Sequence, residues 1–374
     1  MESLALKYRP RTFDDLVGQR AVQVVLRQMV DKGRVPRAMT FSGGRGTGKT
    51  TTLRILAAAL NCDTPPGPCG HCVPCKSTFD GTNLNLVEID AASNGLVDDI
   101  RQLRQHALYA VGGGWRVIGL DEAQSISTAG FNALLKMIEE PPPDTVFVLL
   151  TTEPGRIPDT VASRCTRFTF RRIAPADITE RLTQICTAEG ITVEPGLLSL
   201  VAERADGALR DAVMLLDQIT QVGVNTVEQF VDVMGETDPG PALLGAIRTG
   251  NHATAFGALA DTLTRTADPA TIATALAATL RDVCILHAAG TVNAQGEALS
   301  AREQLAAALD TPTAVAGLKL LWDHKTKIRS GDDPRTGLDL LVAMLVDALA
   351  PARPTAPAAS PERRLTLAEM AARR

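Results

Sequence analysis

The sequence predicts an α/β fold that gives way to helices, and three observations predict it. Apolar, β-rich runs at residues 38–42, 86–90, 116–120, 145–150 and 167–170 alternate with helical patterns. Strands separated by helices favour a parallel sheet covered on both faces. A glycine-rich loop, residues 43–50, lies between the first run and a helical pattern whose stripe is Leu53, Leu56 and Leu60. After about Ala174 the strand signals stop.

The later elements follow in order. Residues 177–190, 195–205 and 208–221 have the pattern of three short helices, punctuated by Gly190, Pro195 and Gly207. A second helical stretch, about 238–349, is rich in Ala and Leu, with patterns at 270–288, 299–309, 312–329 and 333–349. Residues 350–361 are rich in Pro and Ala, as in a linker or disordered tail, and 366–374 has room for a terminal helical turn or two. There is no internal repeat. The expected division is a phosphate-binding domain over 1–173 with an insertion at 62–75, a three-helix domain over 174–236, a helical domain over 237–350 and a tail over 351–374.

Bulk properties narrow the class. The 374 residues suffice for two or three domains, and 45% hydrophobic content is ordinary for a soluble protein. No run approaches the roughly 20 consecutive apolar residues of a membrane span. The start, Met1-Glu2-Ser3-Leu4, lacks the basic region and apolar stretch of a secretion signal. With a net charge of -4, any nucleic-acid contact must come from a local basic surface. Four of the seven cysteines lie between residues 62 and 75, which favours a metal site in a reducing compartment over disulfides. A cytoplasmic protein is expected.

The run Gly43-Gly44-Arg45-Gly46-Thr47-Gly48-Lys49-Thr50 fits G-x-x-x-x-G-K-[ST]. Glycines let backbone N–H groups approach phosphate oxygens with no Cβ in the way. Lys49 would reach the β- and γ-phosphates of ATP, Thr50 would ligate Mg²⁺, and the following helix offers its positive end. The plainer alternative, a chance glycine-rich turn, fits poorly with a strand before the loop and a helix after it. A second apolar strand ends in Asp121-Glu122. Asp121 would hold Mg²⁺ and Glu122 would polarise the attacking water; without the loop upstream, such a pair would be a solvated turn. Thr151 and Thr152 end the strand at 145–150. Either hydroxyl would orient the water or sense the γ-phosphate, or serve only as a cap or turn residue.

The cysteines Cys62, Cys69, Cys72 and Cys75 have the spacing C-x6-C-x2-C-x2-C. Thiolates this close converge on tetrahedral Zn²⁺, and four sulfurs leave no open position, so the role is structural. His71 is a bystander on that count. Cys165, Cys186 and Cys284 lack such spacing and suit small buried positions. Two arginines stand out, Arg164 in Ser163-Arg164-Cys165 and Arg210 in Leu209-Arg210-Asp211. Each has the ordinary alternative of a surface ion pair. In the functional reading Arg210 closes over the γ-phosphate, and Arg164 faces a neighbouring subunit as a finger in trans.

With these residues in hand, the chain resembles the bacterial DNA polymerase III gamma/tau family, AAA+ ATPases of the sliding-clamp loader. The matching stretches include Lys7-Tyr8-Arg9-Pro10, Phe13-Asp14-Asp15-Leu16-Val17-Gly18-Gln19, residues 41–52 and the four cysteines. Glu88-Ile89-Asp90-Ala91-Ala92-Ser93, Gly130-Phe131-Asn132-Ala133-Leu134-Leu135-Lys136, Glu139-Glu140-Pro141-Pro142, Ser163-Arg164-Cys165 and Leu209-Arg210-Asp211-Ala212 complete the set. They span about residues 4–220 in family order. The resemblance implies an AAA+ P-loop core with a zinc insertion, a small helical lid and an all-α oligomerisation collar. It implies adenine contacts at Tyr8, Arg9, Val17 and Gly18, and a nucleotide contact at Thr51. Thr151 or Thr152 falls at the first sensor, Arg210 at the second and Arg164 at the trans finger.

The family's activity would make this chain an ATPase in a pentamer with other clamp-loader subunits, opening the sliding clamp and placing it on primer–template DNA. Candidate DNA contacts are Arg101, Arg104, Ser127 and Thr128, which equally suit a solvated surface. Two features depart from the family pattern. Gln124 stands where the family usually has His, and the sequence lacks the long segments that bind polymerase and helicase in long members. Two other functions fit the same residues: a non-hydrolysing structural subunit of the loader, and a nucleic-acid-binding scaffold that holds ATP structurally. The intact Lys49, Thr50, Asp121 and Glu122 favour the ATPase.

Overall fold

A computed structural model of the chain describes residues 3–93, 114–234, 238–265, 268–290, 292, 296–330 and 333–350. The chain divides into two compact units, Met1–Val233 and Met234–Arg374.

The first unit is built on five parallel strands: β1 (Ala38–Gly43), β2 (Leu86–Asp90), β3 (Arg116–Asp121), β4 (Thr145–Thr151) and β5 (Thr166–Phe170). Their order in the sheet is β2-β3-β4-β1-β5. Each lies within a residue of a β-rich run in the sequence. Around them run α1 (Leu4–Lys7), α2 (Arg20–Asp31), α3 (Lys49–Leu60), α4 (Val73–Phe79), α5 (Thr128–Glu139) and α6 (Asp159–Ala162).

Strand β4 shows why the sheet is covered on both faces. Alternate side chains of a strand point to opposite sides, so Val146, Val148 and Leu150 join Leu26 of α2 with Leu53 and Leu56 of α3. Phe147 and Leu149 point the other way, to Phe131 and Leu134 of α5. A strand buried on both faces must be apolar throughout, and every residue of β4 is buried. The strand order sets β3, β4 and β1 side by side, with Ser42 in register with Thr151 and Leu120 with Leu149. Their carboxyl ends carry Asp121, Thr151 and Gly43, the edge where ligands bind in parallel sheets.

Four helices follow the sheet in the same unit: α7 (Pro175–Glu189), α8 (Pro195–Arg204), α9 (Leu209–Gln221) and α10 (Val227–Met234). The first three match the sequence expectation. The fourth does not appear in it: α10 is only eight residues long and fully buries only Phe230, although Val227, Phe230, Val231 and Met234 recur at helical spacing.

The second unit holds α11 (Gly240–Arg248), α12 (His252–Arg265), α13 (Pro269–Ala289), α14 (Gly296–Ala308), α15 (Thr311–Ser330) and α16 (Pro334–Leu349). They share a core that includes Leu276, Leu280, Val283, Leu321, Leu341 and Leu345. Helix α13 starts where Asp268 accepts the N–H groups of Ala270 and Thr271 at 3.1 and 3.0 Å, with Pro269 in the first turn. By length and composition alone α13 is long and apolar enough to cross a membrane, but Arg281 and Asp282 interrupt its apolar run and Leu276, Leu280 and Val283 are buried in the core of this unit. Asp282 is buried on α13 and accepts Arg302 Nε at 3.0 Å. Arg302 also reaches Asp238.

Candidate nucleotide and metal sites

The phosphate loop links β1 to α3, as its motif requires. Lys49 is buried and its ammonium donates to the carbonyls of Gly43 and Gly44, both at 2.8 Å. Thr47 Oγ1 donates to the Gly44 carbonyl at 2.8 Å. Burial pushes the Lys49 ammonium below its usual range, while Asp121 and Glu122 pull it back up. The buried Gln19 amide fastens the loop: it donates to the Arg171 carbonyl at 2.7 Å and the Thr47 carbonyl at 3.4 Å, and accepts the Arg171 N–H at 3.1 Å.

Opposite the loop stands the end of β3. Thr50 Oγ1 donates to Asp121 Oδ2 at 2.9 Å, so the two residues assigned to Mg²⁺ converge. The other Asp121 oxygen, Oδ1, accepts the Glu122 N–H at 2.9 Å. Glu122 has φ of 49°, the left-handed region where a residue with a Cβ is strained. Gln124 Nε2 donates to Glu122 Oε2 at 2.5 Å and to Thr152 Oγ1 at 3.1 Å. Thr151 Oγ1 donates to Gln124 Oε1 at 2.7 Å and accepts the Glu153 N–H at 3.0 Å. Thr151 is buried and Thr152 half-buried. The hydroxyl pair and the acidic pair are thus joined, through a residue that the sequence marked only as a departure from a pattern.

The remaining sequence candidates are distributed around this edge. Gly46 has φ of +73°, and a Cβ on it would stand 2.7 Å from the Ala208 Cβ. The loop therefore touches the start of α9, where the exposed Arg210 lies two residues on. Arg9 Nε donates to Thr51 Oγ1 at 3.4 Å. Burial depresses the Arg9 guanidinium, helped by the Arg54 charge, opposed by Glu88, and helped again by Arg210. Arg54 is itself paired with Glu88 at 2.5 Å. Tyr8 donates its hydroxyl to Glu189 at the end of α7, and Arg181 Nη2 donates to the Tyr8 carbonyl at 3.3 Å. Gly18 packs against Ile173, Val17 is half-buried and Arg45 exposed.

Arg164 is half-exposed, with Nε on Glu139 Oε1 at 2.8 Å and Nη1 on the Thr160 carbonyl at 2.6 Å. Its partners are on α5 and α6 rather than on the phosphate loop. Ser127 caps α5, accepting the Gly130 N–H at 3.1 Å, and Thr128 is exposed beside it. Arg101 and Arg104 lie outside the described residues, as does the tail from residue 351.

The four cysteines meet between α3 and α4, with all four sulfurs within 4.8 Å of one another. Zn–S bonds of about 2.3 Å in a tetrahedron bring sulfurs to about 3.8 Å apart, and Cys72 Sγ stands 4.0 Å from Cys62 Sγ. The donor set therefore fits a zinc ion. Backbone N–H groups already point at the sulfurs: Cys69 N–H at Cys62 and Cys72 N–H at Cys69, each at 3.4 Å. The backbone of His71 and Cys72 holds the Cys69 thiol down to about 6, whereas burial pushes Cys62 and Cys75 up. His71 Nδ1 contacts the Cys69 carbonyl at 2.9 Å and is not one of the four. Cys165 and Cys186 are buried and Cys284 is half-buried, and none of the three belongs to the group of four.

Sequence reasoning missed Gln19, Ala208 and the Glu189 partner of Tyr8. Each acts through a contact with a distant segment, and only Gln19 carried a signal, inside a quoted motif.

Known proteins resemble this chain in the same regions. Residues 18–174 match the model for the DNA polymerase III delta subunit, and residues 177–225 that for the DNA polymerase III clamp loader subunit ATPase lid domain. The DNA polymerase III subunit gamma/tau of Mycobacterium tuberculosis strain H37Rv is 36% identical over 360 residues, covering 92% of this chain and 62% of that protein. The tau subunit of Bacillus subtilis strain 168 is 43% identical over 220 residues, which is 58% of this chain and 39% of the relative. The chain thus spans about three-fifths of the mycobacterial relative's length. Among solved structures, the Thermotoga maritima RuvB Holliday junction branch migration motor aligns with a TM-score of 0.47 and 20% identity, over 69% of this chain and 88% of that one.

Proposed function

This chain belongs to the DNA polymerase III gamma/tau family, and from there we propose that it is an ATP-hydrolysing subunit of the clamp loader. The observation that carries the reading is the convergence of Thr50 Oγ1 on Asp121 Oδ2 at 2.9 Å, with Glu122 next to it. The chain carries Lys49, Thr50, Asp121 and Glu122 together, which favours hydrolysis over a purely structural use of ATP.

The phosphate loop would hold the triphosphate by its N–H groups, with Lys49 against the β- and γ-oxygens. Mg²⁺, held by Thr50 and Asp121, would neutralise charge on the same oxygens. The Glu122 carboxylate takes a proton from a water whose oxygen bonds to the γ-phosphorus. The bond from that phosphorus to the β–γ bridging oxygen breaks, and ADP leaves with the electron pair. Arg210 would close on the γ-phosphate from α9, and Arg164 would serve a neighbouring subunit. Tyr8, Arg9, Val17 and Gly18 would line the adenine, with Arg9 held beside Thr51. The cysteine cluster would bind zinc as a structural brace.

Within a cytoplasmic pentamer, ATP binding would open the sliding clamp and hydrolysis would release it on primer–template DNA. Ser127 and Thr128 would meet phosphates at the start of α5. The test is ATP turnover by the full chain assembled with its partner subunits, clamp and primed DNA. Glu122→Gln is expected to bind ATP normally and lose roughly 10²–10⁴-fold in rate. Fast turnover by that variant, or none by the wild type, counts against the proposal.

A further inference from the structure

The geometry points to Gln124 as a positioning residue of the hydrolytic site, tying the Glu122 carboxylate to the two hydroxyls that end β4. This rests on the ATPase reading above. A side-chain amide has two N–H donors and one acceptor oxygen, and all are used here. Nε2 serves Glu122 Oε2 at 2.5 Å and Thr152 Oγ1 at 3.1 Å, and Oε1 takes the Thr151 hydroxyl at 2.7 Å. The orientation of the amide is chemically determined, because an ionised carboxylate only accepts and the NH₂ end must face it.

That bond network separates the two threonines. The single proton of the Thr151 hydroxyl goes to Gln124, and its oxygen already accepts the Glu153 N–H at 3.0 Å. Thr151 is therefore spent on structure and is buried. Thr152 accepts from Gln124, which leaves its own proton for a phosphate or water oxygen. A group that draws on the Thr152 hydroxyl also acts on the amide that orients Glu122. The line is continuous from the phosphate loop: Thr50 to Asp121, Asp121 to the Glu122 backbone, Glu122 to Gln124, and Gln124 to β4. Glu122 itself sits at φ of 49°, a conformation that needs such restraint.

Histidine would not replace this amide. Neutral imidazole has one donor and one acceptor, enough for Glu122 and Thr151 but not Thr152. Imidazolium has two donors and no acceptor, so it cannot take the Thr151 proton.

The experiment measures ATP affinity and turnover for wild type, Gln124→Ala and Gln124→His in the assembled complex, across pH 5.5 to 9, roughly bracketing imidazole titration. Gln124→Ala is expected to hold ATP affinity within about twofold and lose about ten- to a hundredfold in kcat, the equivalent of one charge-assisted bond. Gln124→His is expected to turn over with a new ionisation near pH 6–7 that wild type lacks. Loss of less than about twofold in Gln124→Ala, or a Gln124→His profile identical to wild type, overturns the inference. So does a Gln124→Ala defect shared equally by ATP affinity, as a structural role would give. Absence of turnover by wild type sinks the ATPase reading instead, and is told apart because no variant enters that comparison.

Discussion

Gly46→Ala tests the contact between phosphate loop and α9. A Cβ at Gly46 would stand 2.7 Å from the Ala208 Cβ, and the backbone there has φ of +73°. Two costs follow. Left-handed backbone for a residue with a Cβ costs roughly 1–2 kcal/mol. Carbon atoms settle about 3.5–4.0 Å apart, so loop and helix must part by about 1 Å, an overpacking worth roughly 1–3 kcal/mol. The variant should lose about 2–5 kcal/mol of stability in urea unfolding. Ala208→Gly in that background removes the clashing Cβ and should return most of the packing part, the Ala208 Cα at 3.2 Å remaining close, on top of about 1–2 kcal/mol of backbone strain. Ala208→Gly alone completes the double-mutant cycle. A Gly46→Ala midpoint equal to wild type, or additive effects in the cycle, would refute the contact and with it the route by which Arg210 is registered to the loop.

Four further outcomes are expected. Arg164→Ala should leave ATP affinity unchanged and slow hydrolysis only in the assembled complex; equal slowing in isolated chains excludes a trans finger. Elemental analysis should find about one zinc per chain. Zinc uptake near neutral pH should release protons from Cys62 and Cys75, which burial keeps protonated, while Cys69, at about 6, is already largely thiolate. Calorimetry in buffers of different ionisation heat would expose that release, and identical heats would contradict it. Arg302→Met should destabilise the second unit by about 1.5–3 kcal/mol, because it removes the buried partner of the Asp282 carboxylate and leaves it only the exposed Arg281; unchanged thermal unfolding of that unit would show the pair to be dispensable.

Much of the fold was legible because its signals are local. Strands β1, β3 and β4 are largely buried and so mostly apolar along their length. Strand β5 alternates buried Phe168 and Phe170 with exposed residues, and β2 carries the β-branched Val87 and Ile89, so all five stood out within a residue of their ends. Helix α10 escaped because its eight residues span barely two turns, whereas the pattern at 270–288 already covered almost all of α13. In the site, the phosphate loop and cysteines were readable for the same reason: consecutive N–H groups and C-x2-C turns act within a few residues.

By itself, then, the sequence determined the sheet's strands, the loop that suits a triphosphate, the four sulfurs and the family resemblance. Only the tertiary structure decided which groups those residues meet. Thr50 reaches Asp121 across 71 positions, and Gln124 reaches Thr151 and Thr152 across 27 and 28. Those meetings depend on β3, β4 and β1 lying side by side, an order set by packing over both faces of the sheet and not by any local pattern. Sequence left Thr151 and Thr152 equivalent; the direction of two hydroxyl bonds told them apart.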